Sequence, residues 1–259
     1  MDILDKIIAH KREEVEVRKT MLPENELRDS LHFNRRCLSL KESLSSGAAT
    51  GIIAEFKRKS PSKGYINQWA DTAAVTKAYT QYGASGLSVL TDHDFFGGNN
   101  EDLLAARQNN IPILRKEFII DSYQLTEAKA IGADVVLLIA ACLSVNEVKE
   151  LSAHAKQLGL EVLLELHDEA ELDHICAETD MVGINNRNLK TFTVDLQHSA
   201  MLAKMIPAGK IKIAESGISS VDDIRFLKNA GYQGFLIGEN FMKENDPGKA
   251  FQLFTQNLK

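Results

Sequence analysis

Eight short apolar, β-branched runs recur along this chain, each followed by a stretch of helical spacing. No other feature limits the possible folds as much. The runs are Ile52–Phe56, Gly86–Leu90, Ile111–Leu114, Val135–Ile139, Glu161–Leu166, Met181–Ile184, Ile211–Ala214 and Gly234–Ile237. Their starts lie roughly 20 to 34 residues apart, the length of one strand–loop–helix unit. The intervening stretches carry helix start and stop signals. Val75, Ala78, Tyr79 and Tyr82 share one face of a helix predicted over 72–82, which Gly83 ends. Asp121 with Gln124 opens another that stops at Gly132. Ser144 and Glu147 form a capping box ahead of the stripe Val148, Leu151, Ala155 and Leu158, which Gly159 ends. Ser219 or Ser220 opens a helix carrying Ile224 and Leu227, and Pro247 sits in the first turn of a last one burying Phe251 and Phe254. Eight strands alternating with eight helices predict an α/β fold, the closed parallel (β/α)8 or TIM barrel. An open doubly wound sheet is the rival, but no GxGxxG follows the first run.

The first 46 residues contain no such run. Leu4, Ile8, Lys11 and Val15 follow helical spacing over 2–18, Pro23 stops that helix, and short helices are predicted at 24–31 and 39–46. The reading is one barrel domain over 1–259 with a helical N-terminal extension over 1–46. The length of 259 residues suits it, because such barrels take about 250. A net charge of −6 argues against nucleic acid as the main partner, since phosphate backbones select basic surfaces. A small phosphorylated substrate needs only a local positive site. Three scattered cysteines, Cys37, Cys142 and Cys176, fit reduced thiols in a cytoplasmic protein. No apolar signal core or membrane-length apolar run is present.

In such barrels chemistry collects at the C-terminal ends of the strands. Polar residues gather there: Glu55 and Lys57, Thr91 and Asp92, Arg115 to Glu117, Glu165, Asn185 to Arg187, Glu215 to Gly217, Gly238 and Glu239. Glu55 and Lys57 are two apart and so share a strand face; alone, they fit an active site or a surface ion pair equally well. The turns Ser216-Gly217-Ile218-Ser219 and Gly238-Glu239-Asn240 follow the seventh and eighth runs, where phosphate-binding barrels hold their phosphate. The seven histidines are scattered; His167 and His174 read as an exposed helix face, and Asp92-His93-Asp94 as a weak metal motif. No Gly-x-Ser-x-Gly marks a hydrolase. Phe95-Phe96-Gly97-Gly98 reads either as a lid that stacks on a ring or as packing against the helical extension.

Ala54 to Ser62, Phe95 to Gly98, Leu114 to Ile119, Gly183 to Leu189, Ala214 to Ile218 and Phe235 to Gly238 occur in this order. Together they closely resemble the indole-3-glycerol phosphate synthase family of tryptophan biosynthesis, over about residues 2 to 258 and including the helical extension. The first motif is highly specific; the Glu-Ser-Gly and Ile-Gly pieces would fit many phosphate-binding barrels. The resemblance implies closure of the indole ring on 1-(2-carboxyphenylamino)-1-deoxyribulose 5-phosphate, with loss of CO2 and water and with no metal or cofactor. By resemblance, Lys116 is the acid of ring closure and Glu165 the acid or base of dehydration. Lys57 contacts substrate and is a candidate second acid, and the two lysines are interchangeable at this stage. Glu55 and Glu215 hold lysines and substrate hydroxyls, and Asn185 and Arg187 bind substrate. Ser60, Ser216, Gly217, Gly238 and Glu239 line the phosphate, with the Glu239 side chain expected to point away from the dianion. Pro61, Phe96, Phe118 and Leu138 are expected to wall the aryl pocket.

Two rivals stand beside this reading. One is another phosphate-binding barrel enzyme, such as phosphoribosylanthranilate isomerase, which works with a Cys and an Asp; no cysteine lies in the first run. The other is a non-catalytic barrel that binds a phosphometabolite. The expected protein is a monomer with no nucleic-acid or membrane partner, able to associate with other enzymes of tryptophan biosynthesis.

Overall fold

The computed structural model describes residues 3–47, 50–188 and 193–258. Asp2, where the first helix was expected to start, and Leu189, the end of one motif, lie outside them. Eight parallel strands close into a barrel in which each pairs with the next and the eighth pairs with the first. In order they are Ile52–Phe56, Gly86–Leu90, Ile113–Lys116, Val135–Ile139, Glu161–Leu166, Met181–Asn185, Ile211–Glu215 and Gly234–Ile237.

Five of the eight match the expected runs end to end. The third is displaced by two residues, from Ile111–Leu114 to Ile113–Lys116. Pro112 has no N–H to give a ladder, and its carbonyl accepts from Leu87 N instead. At the other end, two cations continue the strand where charge looked like its boundary. The sixth and seventh strands likewise gain Asn185 and Glu215.

Alternate residues split the strands into two apolar layers. Ile53, Leu114, Leu137, Leu163, Met181, Ile213 and Leu236 pack inside the barrel. Ile52, Ala54, Val89, Val136, Leu138, Val162, Val182 and Phe235 pack outward against the helices. Those helices start as their sequences require. Asp121 with Gln124, Ser144 with Glu147 and Ser220 with Asp223 all close capping boxes. Two expectations fail. Tyr82 lies just past the helix Thr72–Gln81 and is 37% exposed, while Thr72 and Thr76 share the buried face with Val75 and Tyr79. After the fifth strand the crossover carries only a short 3-10 helix, Glu169–His174, in place of an α-helix.

The N-terminal extension holds both ends of the barrel. Leu40 and Leu44, on the helix Leu40–Ser45, plug the bottom among the inward apolar residues. Gly86 and Gly234, at the starts of their strands, leave room: a Cβ there would lie 2.6 Å from Leu40 and 3.2 Å from Leu44. The helix Ile3–Met21 crosses the opposite end, where Ile3, Leu4 and Ile7 roof the central cavity. Lys11 on that helix is 0% exposed. Its Nζ lies 2.9 Å from Asp92 and 3.0 Å from Glu117, at the ends of the second and third strands. A buried ammonium needs such carboxylates, so the helix is fixed where those strands end.

Candidate active site

A cavity of about 380 Å³ opens at the C-terminal ends of the strands, large enough for a small substrate. Of the residues expected there, Glu55, Lys57, Ser60, Pro61, Phe96, Lys116, Phe118, Glu165, Asn185, Arg187, Glu215, Ser216, Gly217, Gly238 and Glu239 line it. Leu138 does not. The parity of the fourth strand turns it outward into the helix layer, and its neighbours Leu137 and Ile139 face the cavity. All five residues of that strand are apolar and buried, so no period-two signal distinguishes its faces.

The centre is a charge network reaching across four strands. Lys116 Nζ donates to Glu165 Oε2 and Glu215 Oε2, each at 2.7 Å. Lys57 Nζ lies 2.7 Å from Glu55 Oε1. Asn185 Nδ2 donates to Glu165 Oε1 at 2.9 Å, fixing the carboxylate from the sixth strand. Glycine makes the room. A Cβ on Gly183 would lie 2.0 Å from Glu215 Oε1, and one on Gly238 2.6 Å from Glu55 Oε1. Any larger residue at either place would push a carboxylate out of the network.

This network separates its protonation states. Burial opposes charge on Lys116, but the carboxylates of Glu165, Glu215 and Glu55 outweigh it and raise its pKa, so it is an ammonium. Burial also opposes charge on Glu165; Lys116 and His167 overcome it and hold that carboxyl well below its usual range. For Glu215, burial and the neighbouring Glu165 and Glu55 outweigh Lys116, and its pKa rises to about 7. Two carboxyls on one lysine are thus pushed apart, a pattern that divides acid from base roles.

One end of the cavity is built from backbone. Ser216 and Gly217 both have positive φ, at 67° and 72°. A Cβ on Gly217 would also meet Val194 at 2.2 Å. Gly238 precedes the short helix Glu239–Met242 and supplies no side-chain cap. Ser60 and Ser62, which follow the first strand, line the same cavity as these turns. Neutral N–H and hydroxyl groups at such turns suit a phosphate. The Glu239 side chain sits at the rim: Oε1 is 2.5 Å from Lys63 Nζ and Oε2 is 3.7 Å from Arg187.

Sequence reasoning missed His167. It is not on an exposed helix face; its side chain is 13% exposed, with Nε2 3.2 Å from Glu165 Oε1 and Nδ1 3.5 Å from Glu171 Oε2. The available signal was its place two residues beyond Glu165, on the same side of the chain. Of the two readings of the Phe95-Phe96 pair, packing against the helical extension is the one seen, at Phe95. Phe96 packs on Phe118 at the cavity, with ring centroids 5.9 Å apart, while Phe95 meets His10 of the first helix at 5.8 Å. Asp92 and Asp94 are taken up by Lys11 and by His10 with His93.

A closed barrel with an acid–base network at its strand ends and a neutral anion cradle beside it defines an enzyme of the phosphate-binding (β/α)8 class. A profile of the indole-3-glycerol phosphate synthase family matches residues 4–254. The chain is 48% identical to the indole-3-glycerol phosphate synthase of Bacteroides thetaiotaomicron, covering 99% of both chains. It is 45% identical to that of Bordetella pertussis, covering 95% of this chain and 96% of that one. The chain therefore belongs to the indole-3-glycerol phosphate synthase family and is a carboxy-lyase of tryptophan biosynthesis. Solved structures share the fold at low identity. A 3-hexulose-6-phosphate synthase from Salmonella typhimurium superposes with TM-score 0.63 at 13% identity, covering 80% of this chain and 97% of that one. The tryptophan synthase complex from Pyrococcus furiosus gives 0.61 at 16%, covering 81% and 98%.

Proposed function

We propose that Lys116 is the acid that closes the indole ring on 1-(2-carboxyphenylamino)-1-deoxyribulose 5-phosphate. The observation that carries this is the Lys116 ammonium held 2.7 Å from both Glu165 and Glu215 at the cavity's centre. The aryl carbon bearing the carboxylate attacks the ketone carbon, and the Lys116 proton goes to the carbonyl oxygen as the new C–C bond forms. The ring is then cationic. The C–CO2 bond breaks, its electron pair neutralises the ring, and CO2 departs. Dehydration completes the indole: the hydroxyl leaves with a proton from Lys57, while Glu165, kept as a carboxylate, takes a proton from the adjacent methylene. Glu55 and Glu215 orient the two lysines. Asn185 and Arg187 hold the substrate, Arg187 through its planar fork on the carboxylate. Phe96, Phe118, Leu137 and Ile139 wall the aryl ring, and the turns at Gly217 and Gly238 hold the phosphate with Ser60 and Ser216.

Glu165→Gln tests the assignment. Turnover, read as indole fluorescence, is expected to fall about 10²- to 10⁴-fold, the range for losing a general acid or base, with an unchanged circular dichroism spectrum. Near-parent turnover would refute the role. A barrel that only binds would instead be stabilised by the substrate and give no fluorescence.

Glu239 at the rim gives a second prediction. A carboxylate repels a phosphate dianion, and Lys63 draws this one aside; together with Arg187, it lowers the Glu239 pKa against burial. Lys63→Ala is expected to raise KM about 2- to 5-fold with kcat kept, the scale of an exposed ion pair. Steady-state kinetics at low salt would show it.

We also infer a cytoplasmic monomer. The three cysteines, none of them disulfide-bonded, support the compartment, and sedimentation velocity checks the mass.

A further inference from the structure

We propose that His167 is a positioning residue, an imidazolium wedged between Glu165 and Glu171 that keeps the Glu165 carboxylate ionised and in place through the reaction. The inference rests on the role given to Glu165 above and adds the group that sustains it.

Three observations carry it. The ring lies at the end of the fifth strand, two residues beyond Glu165, so both side chains face the same way. It is enclosed, with a carboxylate on each side at 3.2 and 3.5 Å. Each ring nitrogen faces one of these carboxylates, so a doubly protonated ring presents an N–H and its charge to both at once, which neither neutral tautomer can do. Glu171 is itself fixed, because the His167 backbone N–H donates to its Oε2 at 2.6 Å. The 3-10 helix Glu169–His174 therefore holds a carboxylate against the imidazole.

The groups facing this ring come from several elements. Glu165 lies on its own strand and Glu171 on the following 3-10 helix. Lys116 and Asn185 reach it through Glu165 from the third and sixth strands. His198, on the helix Leu196–Leu202, lies 3.3 Å from the His167 carbonyl oxygen. Burial lowers the imidazole pKa, but Glu165 and Glu171 outweigh it and raise it to about 10.

The chemistry gives this cation a purpose. Lys116 becomes a neutral amine once it has protonated the carbonyl oxygen. Glu165 then loses the charge that held it ionised, at the stage before it must act as a base. A second cation on the side away from the substrate persists through that stage. Because it touches no substrate, its loss should leave binding alone.

The test compares the pH dependence of kcat for the parent, His167→Gln and Glu171→Gln, with folding checked by thermal melting. Using kcat differences cancels the substrate's own titrations. His167→Gln should lower kcat about tenfold at neutral pH with KM within twofold, and should move the acid limb up by about one unit. Glu171→Gln, an isosteric change outside the site, should move the alkaline limb down, because the imidazolium then loses its proton earlier. A variant that melts lower but keeps both kcat and limbs would show a structural role only and overturn the proposal. If His167→Gln does not fold, an unmoved alkaline limb in Glu171→Gln overturns it alone. Unaltered turnover in Glu165→Gln would mark failure of the underlying role; loss there with unmoved limbs in both new variants would mark failure of this inference alone.

Discussion

Lys116→Met should reduce turnover about 10²- to 10⁴-fold, the contribution of a positioned acid, while the barrel still forms. The reason lies in where the lysine sits. Its side chain is 16% exposed and faces the cavity. Water can enter when it is removed, and Glu215, already titrating near 7, can take up a proton. The two carboxylates left behind therefore do not become a dry pair of like charges. Substrate should still bind through the phosphate turns, so KM should change less than kcat. Single-turnover fluorescence separates the two. A loss confined to substrate affinity, with kcat unchanged, would mean that Lys116 only holds the substrate.

Arg115→Met, one residue earlier, should do the reverse. Strand parity turns Arg115 away from the cavity, and it is 0% exposed. Its guanidinium lies 2.5 Å from Glu127, and it also donates to the Gln124 carbonyl at 2.9 Å and to Thr91 Oγ1 at 3.1 Å. Breaking a buried pair from one side costs about 3–5 kcal/mol, because the remaining charge stays in the dry interior. Arg18 lies 3.1 Å from the same Glu127, which argues for the lower end. For a domain of this size that is a fall in melting temperature on the order of 10 °C. At 20 °C, well below the transition, kcat should stay within a few-fold of the parent. A variant melting like the parent would show that Arg18 alone can satisfy Glu127.

These two neighbours show how far the sequence could be read. Their types announce charge at a strand end and nothing more. Position in the pleat assigns one to the chemistry and the other to the scaffold. The same reading failed for Leu138, where an all-apolar strand hides its parity, while Glu55 and Lys57, where an abrupt charge marks the strand's end, do line the cavity. It also failed for His167. A lone histidine before an acidic stretch looks like a solvated helix face until the crossover proves to be a short 3-10 helix that folds Glu171 back onto it. Lys11, sitting within a helix's apolar stripe, gave a hint of burial, yet its partners Asp92 and Glu117 lie far along the chain.

The sequence by itself determined the eight-fold strand–helix repeat, the helix caps, the helical extension and the end of the barrel where polar residues gather. These are local patterns, written in the spacing of apolar residues and in capping chemistry within a few positions of each other. Only the tertiary structure decided which carboxylates share a lysine, which glycines clear their path and what roofs the cavity. Lys116 finds Glu165 across 49 residues and Glu215 across 99. Closure of the barrel brings those strand ends together, and burial within it sets how strongly their charges act on one another.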